Sequence, residues 1–160
     1  MTDSGLYAIV LNFERPVVVE IGKLGKVRFP AGSYVYVGSA KRGLSKRIAR
    51  HSRKTKPLRW HIDYLRARAG FHGSSPFPGA LGECRLAVAV REILEGRVFP
   101  AGFGSSDCRC GGHLIHTGKP ADKTLELVCA LGKIPAGSPA FNNDERPFAP
   151  KRLALPNQLN

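Results

Sequence analysis

Two sets of residues have the types and spacings for chemistry. The first comprises Tyr7, Tyr36, Arg47, His51 and Glu83. Tyr7 closes Gly5-Leu6-Tyr7 and Tyr36 opens Tyr36-Val37-Gly38, each in an apolar run that reads as a strand. Arg47 lies eleven residues beyond Tyr36, and His51 lies four beyond Arg47, so the last two share one helix face. Glu83 opens a later segment rich in Ala, Leu and Val. Hydrolysis of a phosphodiester needs an activated water, charge stabilisation on the phosphate and a neutralised leaving oxygen, and these residue types suit it. Each also has a plainer reading. Tyrosines pack on strands, Arg47 and His51 can be solvated helix residues, and an acidic group suits a helix N-terminus. Glu92 and Glu95 are alternative carboxylates on the same segment, close in sequence to Arg91 and Arg97 and expected to be paired or solvated.

The second set is Cys108-Arg109-Cys110-Gly111-Gly112-His113, with His116 beyond it and Cys84 beside Glu83. Soft ligands at close spacing permit zinc, but the usual two-residue gap between paired cysteines is missing. Zinc is therefore not expected, and buried, hydrogen-bonded thiols with a glycine loop near Glu83 are. A nucleophilic Cys108–His113 pair, which would make a hydrolase of another class, is the remaining alternative. In Trp60-His61-Ile62-Asp63-Tyr64, the residues Trp60 and Tyr64 are one helical turn apart and are expected to pack together. A structural role for this run is favoured over a place at the rim of a site.

The elements that position these residues follow from periodicity. Strands are expected at Gly5–Asn12, Pro16–Ile21, Lys26–Phe29 and Ser33–Val37, broken by Gly, Pro and Asn as in an antiparallel meander. From Gly43 to Arg53 the period becomes helical, with Leu44, Ile48 and Ser52 on one stripe. A second helix is expected over Leu58–Arg68, a loop over Phe71–Gly82, and a third helix over Glu83–Leu94. A strand follows at His113–Thr117, and Lys123–Leu131 fits helix or strand. The fold class is α+β, a small antiparallel sheet flanked by helices. One domain is expected over residues 1–131, followed by a basic, Pro- and Asn-rich tail over 132–160, loosely packed or disordered, whose removal at Gly137 would leave a folded core.

The chain has 25 Lys and Arg against 12 Asp and Glu in 160 residues, a formal net charge of +13. Such a surface attracts polyanions, phosphate backbones above all, in a salt-dependent way. No apolar run is long enough to span a bilayer, and no lipid anchor or long basic amphipathic helix supports membrane binding. Met1-Thr2-Asp3-Ser4 does not begin a secretory signal, so a cytoplasmic location with reduced cysteines is expected.

The ordered set around Tyr7 resembles the GIY-YIG nuclease superfamily: two tyrosines on adjacent strands, an arginine on the next helix, a His or Tyr one turn on, and a later metal-binding glutamate. Longer stretches extend the likeness: Phe29 to Ala40, Arg47-Ile48-Ala49-Arg50-His51, Trp60 to Leu65, and Phe103-Gly104-Ser105-Ser106-Asp107-Cys108. These resemble an uncharacterised GIY-YIG-like branch, some of whose members are fused to a DNA glycosylase of the endonuclease III type. The resemblance implies that Tyr7 or Tyr36 activates or orients the water and that Arg47 holds the phosphate. His51 would stand near either, and Glu83 would bind one Mg2+ (or Mn2+). Lys41, Arg42, Lys46, Arg50, Arg53 and Lys54 would contact nucleic acid. The expected function is a Mg2+-dependent endonuclease acting on DNA, in repair and alongside other repair proteins. The alternative is a nucleic-acid-binding module of the same fold with little or no hydrolysis. Two departures stand out. The long gap from Tyr7 to Tyr36 implies an inserted strand pair. Ser39 follows Gly38 where some repair members carry Lys, a role that Lys41 or Lys46 would have to fill.

Overall fold

The computed structural model describes residues 3–77, 82–104, 111–135, 138 and 141. In chain order the elements are β1 (Gly5–Phe13), β2 (Val17–Ile21), a single 3-10 turn (Gly22–Leu24), β3 (Gly25–Phe29), β4 (Gly32–Ala40), α1 (Leu44–Ser52), α2 (His61–Arg66), β5 (Gly70–Phe77), α3 (Glu83–Leu94), β6 (Arg97–Val98), β7 (Leu114–Thr117) and α4 (Ala121–Gly132). Five strands form one sheet in the order β5-β1-β4-β7-β6, all neighbours antiparallel, and β2 and β3 form a separate two-stranded ribbon. The fold is α+β.

The sheet is central because β1 and β4 are apolar on both faces. In β1, Leu6, Ala8 and Val10 join Val35, Val37 and Ile115 beneath Leu86, Val90 and Leu94 of α3 and Val128 and Leu131 of α4. The alternate residues Tyr7, Ile9, Leu11 and Phe13 face the other way, onto Leu44 of α1, Ile62 and Leu65 of α2, and Val19, Ile21 and Phe29 of the ribbon. Period-two alternation thus sends the odd-numbered residues of β1 to the α1–α2 side and the even-numbered ones to the α3–α4 side.

The expected meander does not form. β1 pairs with β4 rather than β2, with Tyr7 opposite Gly38 and Phe13 opposite Gly32. The ribbon is an insertion between these partners, which accounts for the long tyrosine spacing. The loop expected over Phe71–Gly82 is also corrected. Its first half is β5, paired with the outer edge of β1 through a register shift between Val10 and Leu11. Gly, Ser and Pro read as loop, but an edge strand tolerates Pro76, and burial of Ser75 and Phe77 anchors it. The second helix is shorter than expected, because Asp63 Oδ2 accepts from the backbone of Arg59 and Trp60 at 2.8 and 2.9 Å and sets the helix start. Residues 123–131 are helical, and the two-residue β6 is too short to leave a pattern.

The segment after Gly132 lies largely outside the described residues. Of its described residues, Ile134 borders the α3–α4 core and Phe141 is buried within it. The packed chain therefore reaches past the boundary expected at 131. Phe141→Ala, or truncation at Gly137, is expected to lower stability by about 3 kcal/mol, as for other buried phenylalanines. Thermal unfolding measures this; a melting temperature equal to that of the full chain would mean that Phe141 contributes nothing to the core. Among the described residues, no helix is long and apolar enough to cross a membrane.

Candidate active site

The two tyrosines meet because β1 and β4 are paired in the right register. Tyr7 sits opposite Gly38, and a Cβ on Gly38 would collide with the Tyr7 hydroxyl. The glycine therefore lets the phenol lie across β4, toward Tyr36, with ring centroids 6.4 Å apart. Gly104 does the same on the far side: it has φ +71°, and a Cβ there would stand 2.9 Å from the Tyr36 ring. Phe103 is fully buried and packs edge-on against Tyr36 at 6.0 Å.

Helix α1 brings Arg47 and His51 to this pair. Gly43 has no side chain with which to cap it, and Asp3 from the N-terminal segment does so instead, accepting from the Ser45 backbone at 3.1 Å. His51 is buried, with Nε2 2.7 Å from the Tyr7 hydroxyl. Its Nδ1 is buried with no hydrogen-bond partner among the described residues. A proton on Nδ1 would be an orphaned donor, so the tautomer protonated on Nε2 costs less, and His51 donates to the Tyr7 oxygen. Burial lowers the His51 pKa to about 4, and burial raises Tyr7 to about 12 against the pull of Arg47. Tyr36 is shifted upward as well, again by burial first. At neutral pH the imidazole is uncharged and both phenols keep their protons.

The His51 shift has a stability consequence. Between pH 6.5 and about 4 the unfolded chain takes up the imidazole proton before the folded one. Stability therefore rises with pH across that window and is lost as pH falls through it. The loss should approach about 3 kcal/mol, while His51→Asn should lack this component. Melting curves of both proteins across the window test this; parallel pH profiles would show that His51 titrates normally in the folded state.

Glu83 reaches the site from the other face of the sheet. It is the first residue of α3, and one carboxylate oxygen accepts a short hydrogen bond from Ser39 Oγ at the end of β4. The other oxygen is 3.1 Å from His113 Nδ1. The hydrogen bond from His113 and, against burial, that from Ser39 hold the carboxyl below its ordinary value, so it is ionised. The Ser39 carbonyl in turn accepts from Arg47 Nη1 at 2.9 Å. Ser39 thus joins the glutamate through its side chain and the arginine through its backbone. Trp60 lies beside them, with the Arg47 and Arg50 guanidinium carbons 4.9 and 4.6 Å from its ring centroid.

Tyr7, Tyr36, Arg47, His51 and Glu83 therefore converge on one end of the sheet. A family model matches residues 6–134, described as Domain of unknown function DUF123. The chain belongs to this family. DUF123 is a GIY-YIG-like family, and its matched span contains all five residues. No curated protein and no solved structure matches this DUF123 chain significantly.

Other candidates divide. Lys41, Arg42, Lys46, Arg53 and Lys54 are exposed around α1. Arg50 is not a free cation: it makes a bidentate pair with the buried Asp63, at 2.8 and 3.0 Å, and donates to the Pro57 carbonyl. Glu95 pairs with Lys119 at 3.3 Å, and Glu92 is exposed. Cys108 and Cys110 lie outside the described residues, so neither the zinc cluster nor the Cys108–His113 pair is placed. His113 instead stands between Glu83 and Cys84, whose Sγ is 3.7 Å from Nε2. Trp60 and Tyr64 both pack against the α1–α2 side of the core, with the Arg47 and Arg50 guanidinium groups over the Trp60 ring and Tyr64 under Gly22. Ser39 and His113 were missed as Glu83 partners. The Ser39 signal was its place after Tyr36-Val37-Gly38; the His113 signal was its place at the end of the glycine loop expected near Glu83, thirty residues earlier.

No group of three or more His, Cys, Asp or Glu among the described residues is arranged to hold a metal. The donor set still fits a hard cation. Glu83 is ionised and its side chain is 32% exposed, and Mg2+ is commonly held by one or two carboxylates with water and phosphate completing its shell.

Proposed function

We propose that this DUF123 protein is a Mg2+-dependent endonuclease that hydrolyses phosphodiester bonds in DNA, in the service of repair. The observation that carries the reading is the Ser39 bridge between Arg47 and Glu83, set against the Tyr7–His51 pair. An anion clamp, a carboxylate and two phenols from both faces of the sheet share no packing reason to meet. Glu83 would hold the cation, which when bound would neutralise charge on the phosphate and the leaving oxygen. Arg47 donates to the Ser39 carbonyl and to the Tyr7 hydroxyl, and the remaining donors of its fork would take phosphate oxygens. Tyr7 accepts from His51, so its own proton is directed to an incoming water or phosphate. Because both phenols are neutral near pH 7, they orient the water by hydrogen bonding. The net positive charge supplies affinity for the backbone.

A specific observation also favours the second reading, a binding module that hydrolyses little or nothing. Both Glu83 oxygens already have protein partners. The experiment is an assay of purified protein on labelled single-stranded, double-stranded and branched DNA, and on RNA, with and without Mg2+ or Mn2+. Metal-dependent cleavage of DNA supports the enzyme. Tight, salt-sensitive binding without cleavage of any substrate replaces it with the module.

A further inference from the structure

The inserted ribbon has two unlike faces. Val19, Ile21 and Phe29 are buried against the domain, whereas Val18, Glu20, Lys26 and Arg28 point outward. On the outer face Val18 is opposite Arg28 and Glu20 is opposite Lys26. The turn exposes Lys23 and Leu24, and Arg15 is exposed just before β2. Arg68, beyond α2, is also exposed and donates to the Val18 carbonyl at 3.4 Å. Arg15, Lys23, Lys26, Arg28 and Arg68 thus outnumber Glu14 and Glu20, and none of the five pairs with a carboxylate among the described residues. Val18 and Leu24 are 48% and 38% exposed, two of the three exposed large hydrophobic residues among those described.

Helix α2 ties this surface to the candidate site. Trp60 and His61, at its start, adjoin Arg47 and Phe103. At its far end Tyr64 lies under Gly22 and Arg68 against Val18. At 1.5 Å of rise per residue, these ends are roughly 10 Å apart, well within one turn of a duplex. Lys26 and Arg28 are two residues apart on an extended strand, roughly 7 Å, or about two base-pair steps. No aromatic ring faces outward from the ribbon, so it offers no platform for stacking the bases of a single strand.

We propose that the outer face of the β2–β3 ribbon grips the phosphate backbone of a double-stranded flank of the substrate, beside the candidate site. This rests on the nucleic-acid reading of the site. The test is the triple variant Lys23→Gln, Lys26→Gln and Arg28→Gln, titrated with a labelled duplex of about 30 base pairs and with one of its single strands over a range of salt. The duplex slope of log affinity against log salt should become shallower by about 2.7, from about 0.9 per lost phosphate contact. Low-salt duplex affinity should fall at least tenfold, with single-strand binding and melting temperature unchanged. The double variant Lys23→Arg and Lys26→Arg, which keeps Arg28, should preserve the wild-type slope. If wild type binds the duplex and the triple variant matches it, the ribbon is a solvated face and the proposal fails while the nucleic-acid reading stands. Equal losses on duplex and single strand also overturn it. If wild type binds neither, the reading fails and the proposal falls with it.

Discussion

Glu83→Gln and Arg47→Ala are each expected to reduce cleavage by on the order of 100-fold or more, because stabilising charge in the transition state is usually the largest catalytic term. Gln keeps the size of Glu83 and can still accept from Ser39, but it lacks the charge that would hold a cation. Arg47→Ala removes the guanidinium from the Ser39 carbonyl and the Trp60 face, while Ala favours the helix. Glu83→Gln should retain most of its DNA affinity, which rests on many other basic residues. Cleavage rate, DNA affinity and melting temperature should be compared for wild type and both variants. If wild type cleaves and Glu83→Gln cleaves as fast, Glu83 holds no essential cation. Glu92 would then be tested before Glu95, which is engaged with Lys119.

The largest stability loss is expected at Asp63. Its carboxylate is fully buried and accepts from both terminal nitrogens of Arg50 and from the backbone of Arg59 and Trp60. Burial opposes its ionisation, but those four donors prevail and hold the carboxyl below its ordinary value. Asp63→Ala strands the Arg50 guanidinium, uncaps α2 and frees the backbone that carries Trp60. Breaking a buried pair from one side typically costs about 3–5 kcal/mol, which in a chain of this size is roughly 10–15 °C in melting temperature. Thermal unfolding of Asp63→Ala measures it directly, and a loss under about 1 kcal/mol would show that the pair and the cap are dispensable. The contribution is present above the ordinary aspartate pKa and disappears as pH falls through the lowered one.

The local elements were the legible part. Helix α3 begins and ends as its apolar period indicated, and β1 and β4 stand where β-branched runs placed them. Pairing was not legible, because the Tyr7 and Tyr36 strands are partners only across an insertion, and strand patterns carry no address. β5 was hidden by its composition, since an edge strand covered on one side by α4 needs few β-branched residues. The five site residues were legible as an ordered pattern. Their supports were not: Ser39 matters through a carbonyl as well as a hydroxyl, and backbone acceptors have no residue type. Arg50 looked like one more cation of a basic helix until the fold gave it Asp63. Trp60 packs against the core as its ring suggests, but its place beside Arg47 depends on the extended entry into α2 and was not legible.

Phe13 and Gly32 face each other as the last rung between β1 and β4, and everything between them leaves and returns at that rung. The chain ends at this junction are already held at strand spacing, so the length of what they enclose has little influence on how the two tyrosine-bearing strands align. Loop-closure cost grows only slowly with length, by about 0.6 kcal/mol per doubling. The junction is therefore a socket: residues 14–31 could be exchanged for another hairpin that again covers Leu11, Tyr34, Ile62 and Leu65, while Tyr7 stays opposite Gly38. Substrate preference and chemistry would then vary separately within one chain.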